Sequence, residues 1–308
     1  VNLDDPAVTV LLLQLNAVVG LVGKVGPQGD LRSVGITCAL CHSTVDNSFA
    51  PGIGRRLDGW APRDLNVGAI VALSPALDAG LKAEFNGWGP GKYDPRHHFF
   101  DGTNIVPLNS PSVPVVLPSI FGLQGIDFET FTGDGTISYW NSYVGVSQMG
   151  GHGSFEDKRI GVTITQNPDL VTPKLDALLA YQLSLTTPAP PAGSFSQMAA
   201  ARGQGLFNGK AGCSSCHNPQ TAFTDVGSGE VPVLHDPTEV GQDPTYALRS
   251  ATKKYRTTPL RALWQHPPYF HDGSAPNLDA VVEHYNKLFD LKLNKAQQAD
   301  LVEYLKSL

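Results

Sequence analysis

The chain of 308 residues has four cysteines, and all four stand in one repeated arrangement. "CALCH" covers residues 38–42 and "CSSCH" covers residues 213–217, so Cys38, Cys41, Cys213 and Cys216 are all used. Two thiols at this spacing can hold zinc, cycle as a redox pair or anchor a haem. A thioredoxin-like pair needs no histidine after the second cysteine, and it sits in a strand-to-helix context that this sequence lacks. A four-cysteine zinc site would leave both histidines unexplained. Cys-x-x-Cys-His is the c-type haem attachment pattern: the thiols become thioethers to the haem vinyl groups, and the adjacent imidazole is carried to the iron. The two motifs predict two covalently bound haem c groups, with His42 and His217 as proximal iron ligands.

Two haems need two frames to hold them. Glycine (32) and proline (24) make up 56 of 308 residues, about 18%, against a usual share of roughly 12%. That composition predicts a mainly α, loop-rich fold with short helices and little sheet, in which haem replaces much of the side-chain core. The proline-rich "TTPAPPAGS" (186–194) reads as a connector. It divides the chain into a first domain over 1–186, a linker over 187–194 and a second domain over 195–308. The halves repeat loosely. "LLAYQLSL" (178–185) and "LVEYLKSL" (301–308) close the two halves with leucine, tyrosine, serine and leucine in register. Asp134-Gly135 likewise matches Asp272-Gly273, and the first half carries an insertion from about Gly59 to Pro107. Two cytochrome c-like haem domains packed together is the expected architecture.

The net charge of -6, without a basic run, argues against nucleic acid as a partner. "AVTVLLLQLNAVVGLVG" (7–23) is interrupted by Thr9, Gln14, Asn16 and Gly20, and it reads as a segment packed on the first domain rather than a stable membrane span. Haem attachment in bacteria takes place outside the cytoplasm, so we expect a periplasmic or secreted chain processed after export.

"YRTTPLRALWQHPPYFHDGSAPNLDAVVEHYN" (255–286) resembles the second haem domain of the bacterial di-haem cytochrome c peroxidase superfamily. That group includes the enzyme that matures methylamine dehydrogenase and, more distantly, the haem rubber oxygenases. The resemblance covers the second half well, together with the first haem motif, and is weaker over 43–185. It implies one haem that meets substrate, another that relays electrons, and an electron partner that is a small redox protein or a quinone-linked donor or acceptor. It also implies hydrogen peroxide or dioxygen as oxidant. The "RTTP" loop (256–259) resembles the loop that gives backbone carbonyls to an inter-domain calcium ion in the peroxidases.

Sixth ligands decide between electron transfer and oxidant binding. In "NLDAVVEHYNKLFD", Leu278, Val281, Val282, Tyr285, Leu288 and Phe289 form one helical stripe, with His284 about 100° off its centre. The superfamily aligns its sixth ligand with Tyr285, whereas imidazole is the commoner iron ligand; the expectation is His284, with Tyr285 the alternative. His271 reads as a hydrogen-bonded loop residue and Met198 as a core side chain. Counting on from Gly135 by the repeat reaches "VSQMGGH", whose Gln148, Met149 and His152 are the candidates above the first haem. His152 is the preferred acid–base group or ligand there, and Glu156 stands close by. The peroxidases place a catalytic glutamate in this region, and its absence puts peroxidase activity in question. His97 and His98, inside the insertion, read as exposed loop residues. Arg256 and Arg261 are candidates for the haem propionates, against a reading as surface salt bridges. Trp140 and Trp264 are candidates for an inter-haem path, against ordinary core packing. Three functions compete: a peroxidase-like oxidoreductase, a di-haem electron carrier with both irons six-coordinate, and an oxygenase acting on an apolar substrate.

Overall fold

The structure, a computed structural model, describes residues 2–100, 105–108, 110–225 and 231–308. Among these residues are ten helices: α1 (Pro6–Gln14), α2 (Ala39–His42), α3 (Val67–Ala72), α4 (Ala79–Gly87), α5 (Ile137–Tyr143), α6 (Leu175–Ser184), α7 (Gln197–Asn208), α8 (Thr245–Leu248), α9 (Leu278–Leu288) and α10 (Lys295–Lys306). The described strands pair only into two-stranded antiparallel sheets, and the longest, Leu31–Ile36, has six residues. Loops join everything else, as the glycine and proline content requires.

The second half is built on α7, α9 and α10. Ser196 caps α7 by accepting the Ala199 amide, and Asn277 caps α9 by accepting that of Ala280. Asn294 and Gln297 form a reciprocal capping box at the start of α10. Asp279 in the first turn of α9 and Lys287 in its last complement the helix dipole. The backbones of α7 and α10 almost touch: a Cβ placed on Gly203 would lie 2.0 Å from the Asp300 carbonyl oxygen. One turn further on, Phe207 meets Tyr304 edge to face at 5.2 Å. Leu263, Leu278, Val282, Leu301 and Leu305 complete this core.

The first half has several smaller cores. α3 and α4 cross at Gly68, where a Cβ would lie 1.9 Å from the Phe85 carbonyl oxygen, and Phe85, Trp88, Leu77 and Ala72 pack beside the crossing. α5 runs on into a π-helical turn, Val144–Gln148, over a cluster of Trp140, Tyr143, Phe155 and Val162. The closing helices of the two halves share sequence but not environment. In α10, Tyr304 and Leu305 are buried; at the matching places in α6, Tyr181 is exposed and Gln182 is buried, exchanging two hydrogen bonds with Asn141. The N-terminal helix α1 buries no side chain and lies against its own hairpin, where the Asn16 side chain accepts the Gly23 amide. Among the described residues no helix is long and apolar enough to cross a membrane.

Buried polar contacts fasten the insertion and the middle of the chain to the second half. Asp94 pairs with Arg249 at 3.0 Å and Glu129 with Arg256 at 3.1 Å, while the Val116 amide donates to the His271 carbonyl at 2.8 Å.

Candidate haem sites

Each motif presents its histidine in the same way. At the second, Gly212 takes a left-handed conformation (φ 64°) and turns the chain into the short 3-10 helix Cys213–Ser215, so that the His217 amide donates to Cys213. The His217 Nδ1–H then donates to the Phe223 carbonyl at 2.9 Å. At the first motif, His42 Nδ1–H donates to the Pro118 carbonyl, also at 2.9 Å. Such a bond fixes tautomer and ring orientation and leaves Nε2 as the coordinating nitrogen. Burial lowers the pKa of both rings, which keeps them in the neutral, ligating form. All four thiols are unpaired, and burial pushes Cys213 up to about 11 and Cys41 up to about 12.

A cavity of about 630 Å³ opens beside Cys213, Cys216 and His217, within the roughly 300–1,000 Å³ typical of cofactor sites. Phe207, Val282 and Leu301 give it apolar walls. Tyr285 lines it as well, and burial raises its hydroxyl to about 12. His284 does not line it: its Nε2 lies 3.2 Å from the Val240 carbonyl, on a loop beside the helix. Of the two α9 candidates for sixth ligand, Tyr285 is the one that lines this cavity. His271 is buried, with Nε2 3.0 Å from the Tyr255 hydroxyl, the hydrogen-bonded role expected of it.

Part of the cavity lining is cationic. Arg63, Arg256 and Arg261 all line it, along with Pro118, whose carbonyl holds His42. Arg256 bonds Glu129 and the Thr130 carbonyl, and Arg261 bonds the Gly122 carbonyl at 2.8 Å and lies 3.6 Å from Glu129. Neither is a surface salt bridge, since both side chains are buried. Arg256 and Arg261 thus share one carboxylate, Glu129, while Arg63 donates to the Leu117 and His266 carbonyls. Burial brings Arg63 down to about 10 and lowers Arg261 too. The unbalanced positive charge suits the two propionates of a haem, so the residues fit the group. Sequence reading missed Arg63, which lies inside the insertion and carries no motif. Thr257 of the "RTTP" loop donates to Asp225 at 2.8 Å.

At the first motif, Cys41 packs in a cluster with Tyr93 and Leu117. The Tyr93 hydroxyl donates to Gln148 Oε1 at 2.5 Å, and Gln148 Nε2 donates to the His98 carbonyl at 3.0 Å. Of the "VSQMGGH" candidates, Gln148 is the one in contact with the surroundings of Cys41. Met149 is half-buried, and His152, the preferred residue, is exposed. Glu156 is exposed too, 3.6 Å from Lys158. Two other expectations are corrected. His97 and His98 are buried rather than exposed, because the insertion folds a small core of its own and Glu84 on α4 faces the pair. Met198 is 77% exposed, since α7 turns its Gly203 and Phe207 face, not Met198, toward α10. Trp264 meets Trp60 at 5.6 Å, whereas Trp140 packs in the first-half core.

Cys-x-x-Cys-His beside a buried cavity on a helical frame is the arrangement of a cytochrome c domain, and residues 200–308 match the cytochrome c family. Covalently bound haem c is the cofactor of that class. The chain is 33% identical over 127 residues to methylamine utilization protein MauG of Methylorubrum extorquens, covering 35% of this chain and 34% of that one. It is 32% identical over 181 residues to cytochrome-c peroxidase IdrP1 of Denitromonas iodatirespirans (43% and 48%). It is 31% identical over 174 residues to hydrazine synthase subunit gamma of Kuenenia stuttgartiensis (44% and 49%). Over these stretches the chain is thus similar to proteins named as MauG, a cytochrome-c peroxidase and a hydrazine synthase subunit. The matches span half or less of the length of each relative.

Proposed function

We propose that the protein is a peroxidase-like di-haem c-type cytochrome of the periplasm, with haem domains over 1–186 and 195–308 joined by the linker 187–194. One observation carries this reading: both proximal imidazoles, His42 and His217, are held through Nδ1 by a backbone carbonyl at 2.9 Å, which readies Nε2 for iron. Bound haem supplies electron storage and, where its sixth position is open, a place for oxidant. At the second motif Tyr285 lines the cavity and would be the side chain available to a bound haem as a further ligand, which would make that site the relay. The first site is the reactive one, bordered by Tyr93 and Gln148, whose hydroxyl and amide groups orient peroxide by hydrogen bonds. Reducing one hydrogen peroxide to two waters takes two electrons and two protons, the electrons arriving singly from a small redox protein or a quinone-linked donor. Arg63, Arg256 and Arg261 hold the propionates, and Pro118 links His42 to the wall of the cavity beside Cys213.

A second reading, a di-haem electron carrier without substrate turnover, draws on a separate observation. Among the described residues, the side chains bonded to Tyr93 or Gln148 are hydroxyls and amides, neither carboxylate nor imidazole, so no base stands ready to move a peroxide proton. Stopped-flow mixing of the reduced, haem-loaded protein with peroxide separates the two. Fast oxidation with one high-spin haem supports the peroxidase reading; two low-spin haems and slow oxidation support the carrier. Haem released by acid acetone would overturn both.

A further inference from the structure

The insertion holds three side chains that neither reading uses. Glu84 projects from α4, and His97 and His98 lead into the strand His98–Phe100. His97 Nε2 lies 2.9 Å from Glu84 Oε2, and His98 Nδ1 lies 3.6 Å from Glu84 Oε1. The imidazoles meet edge to face with centroids 4.1 Å apart, and one ligand atom from each of the three residues falls within 4.8 Å of the others.

The cluster is also unsatisfied. His97 and His98 are only 9% and 6% exposed, yet His97 Nδ1, both ring nitrogens of His98 and Glu84 Oε1 have no hydrogen-bond partner among the described residues. A buried polar atom left unpaired costs about 1–3 kcal/mol. Four such atoms at one place, with one carboxylate turning an oxygen to each of two imidazoles, point to an occupant.

We propose that Glu84, His97 and His98 bind one divalent first-row transition-metal ion, separate from haem iron. A tetrahedral ion with bonds of roughly 2.0–2.1 Å spaces its donors about 3.3 Å apart. The two nitrogen–oxygen separations of 2.9 and 3.6 Å straddle that value. Two imidazoles and one carboxylate suit zinc, copper, nickel or iron; calcium and magnesium prefer an all-oxygen shell. Phe85 packs against the His98 ring at 5.2 Å and shields one side. The ion also ties the insertion to the first haem site, because the His98 carbonyl accepts from Gln148, whose other end holds Tyr93 beside Cys41.

The test uses the full haem-loaded chain, stripped with chelator and dialysed to equilibrium against Zn²⁺ alone, with metal and haem iron counted by mass spectrometry. One zinc per chain is expected. Glu84→Gln and His98→Ala should each weaken binding at least ten-fold, while His152→Asn, an exposed imidazole outside the cluster, should leave it unchanged. No bound zinc, or equal binding in wild type and both cluster variants, overturns the proposal. If the variants fail to accumulate, zinc-edge absorption of the wild type decides: a nitrogen and oxygen shell with imidazole scattering upholds the site, and a sulfur-containing or all-oxygen shell overturns it.

Discussion

Replacing Asp94 by asparagine should be among the most damaging conservative changes available to this chain. The Asp94 side chain is fully buried and Arg249 nearly so, at 0% and 8% exposure. Oδ1 accepts from the Arg96 amide and Arg249 Nη2, at 3.0 and 3.2 Å; Oδ2 accepts from the Val113 amide and Arg249 Nη1, at 2.6 and 3.0 Å. An asparagine oxygen can keep only one of these pairs of donors. Its NH2 group then points at the other two, hydrogen against hydrogen, and the buried guanidinium loses its counter-charge. Removing one member of a buried pair typically costs about 3–5 kcal/mol, much of it the penalty on the partner left behind. Because Asp94 and Arg249 are 155 residues apart in sequence, that loss falls on the contact between the insertion and the second half.

Urea unfolding of the haem-loaded protein, followed by far-ultraviolet dichroism and the Soret band together, measures the cost. Arg249→Met should cost a similar amount. The double variant should cost less than the sum by about 1.5 kcal/mol or more, since neither charge is then stranded. The effect should persist at high salt, because a buried pair is little screened. A cost for Asp94→Asn below about 1 kcal/mol, or strict additivity in the double variant, would refute the reasoning.

Tyr285→Phe should alter the spin state of the haem at Cys213 to His217, and His284→Ala should not; low-temperature spin-resonance spectra of the two variants read the difference. Gly203→Ala brings a Cβ to 2.0 Å from the Asp300 carbonyl oxygen, and the forced separation of α7 from α10 should cost about 1–3 kcal/mol in urea unfolding. His266 is held at about 4 by burial and by the neighbouring charge of Arg63. Its folded pKa is depressed below the ordinary value near 6.5, so the stability it contributes is present above that value and lost as pH falls toward about 4. His266→Gln should flatten the stability profile between those pH values by about 3 kcal/mol, and an unchanged slope would count against the assignment. Calcium chelation tests the ion expected at the 256–259 loop, whose removal should shift the haem spectra if the loop holds it.

Covalent chemistry is local, and that is why the Cys-x-x-Cys-His motifs are legible in sequence: two thiols and an imidazole must lie within five residues, whatever surrounds them. α9 was legible for a related reason, as the spacing of Leu278, Val281, Val282 and Tyr285 declares its buried face. The partners of the proximal histidines left no trace. The carbonyls of Pro118 and Phe223 could belong to any residue type, and Pro118 lies 76 positions from His42. The internal repeat shows how far sequence can run ahead of environment. Tyr181 and Tyr304 match in register, yet one is exposed and the other packs on Phe207.

The choice between His284 and Tyr285 turned on a different kind of information. Ligand frequency ranks imidazole above phenolate, but a helix presents one face at a time, and adjacent residues differ by about 100°. Once Leu278 and Val282 are committed to the core shared with α7 and α10, Tyr285 follows them toward the cavity and His284 is turned onto the Val240 carbonyl. The helical stripe sets Tyr285 at its centre, and ligand frequency at one position does not change which face several apolar residues turn inward. The same lesson runs the other way at His97 and His98, where loop composition suggested exposure. There the partner is Glu84, 13 residues earlier on α4, and only the folded insertion brings its carboxylate to the two rings. Where a site is made by the turn of one helix, periodicity can find it; where it is made by the closure of a loop, it becomes visible only when the loop is closed.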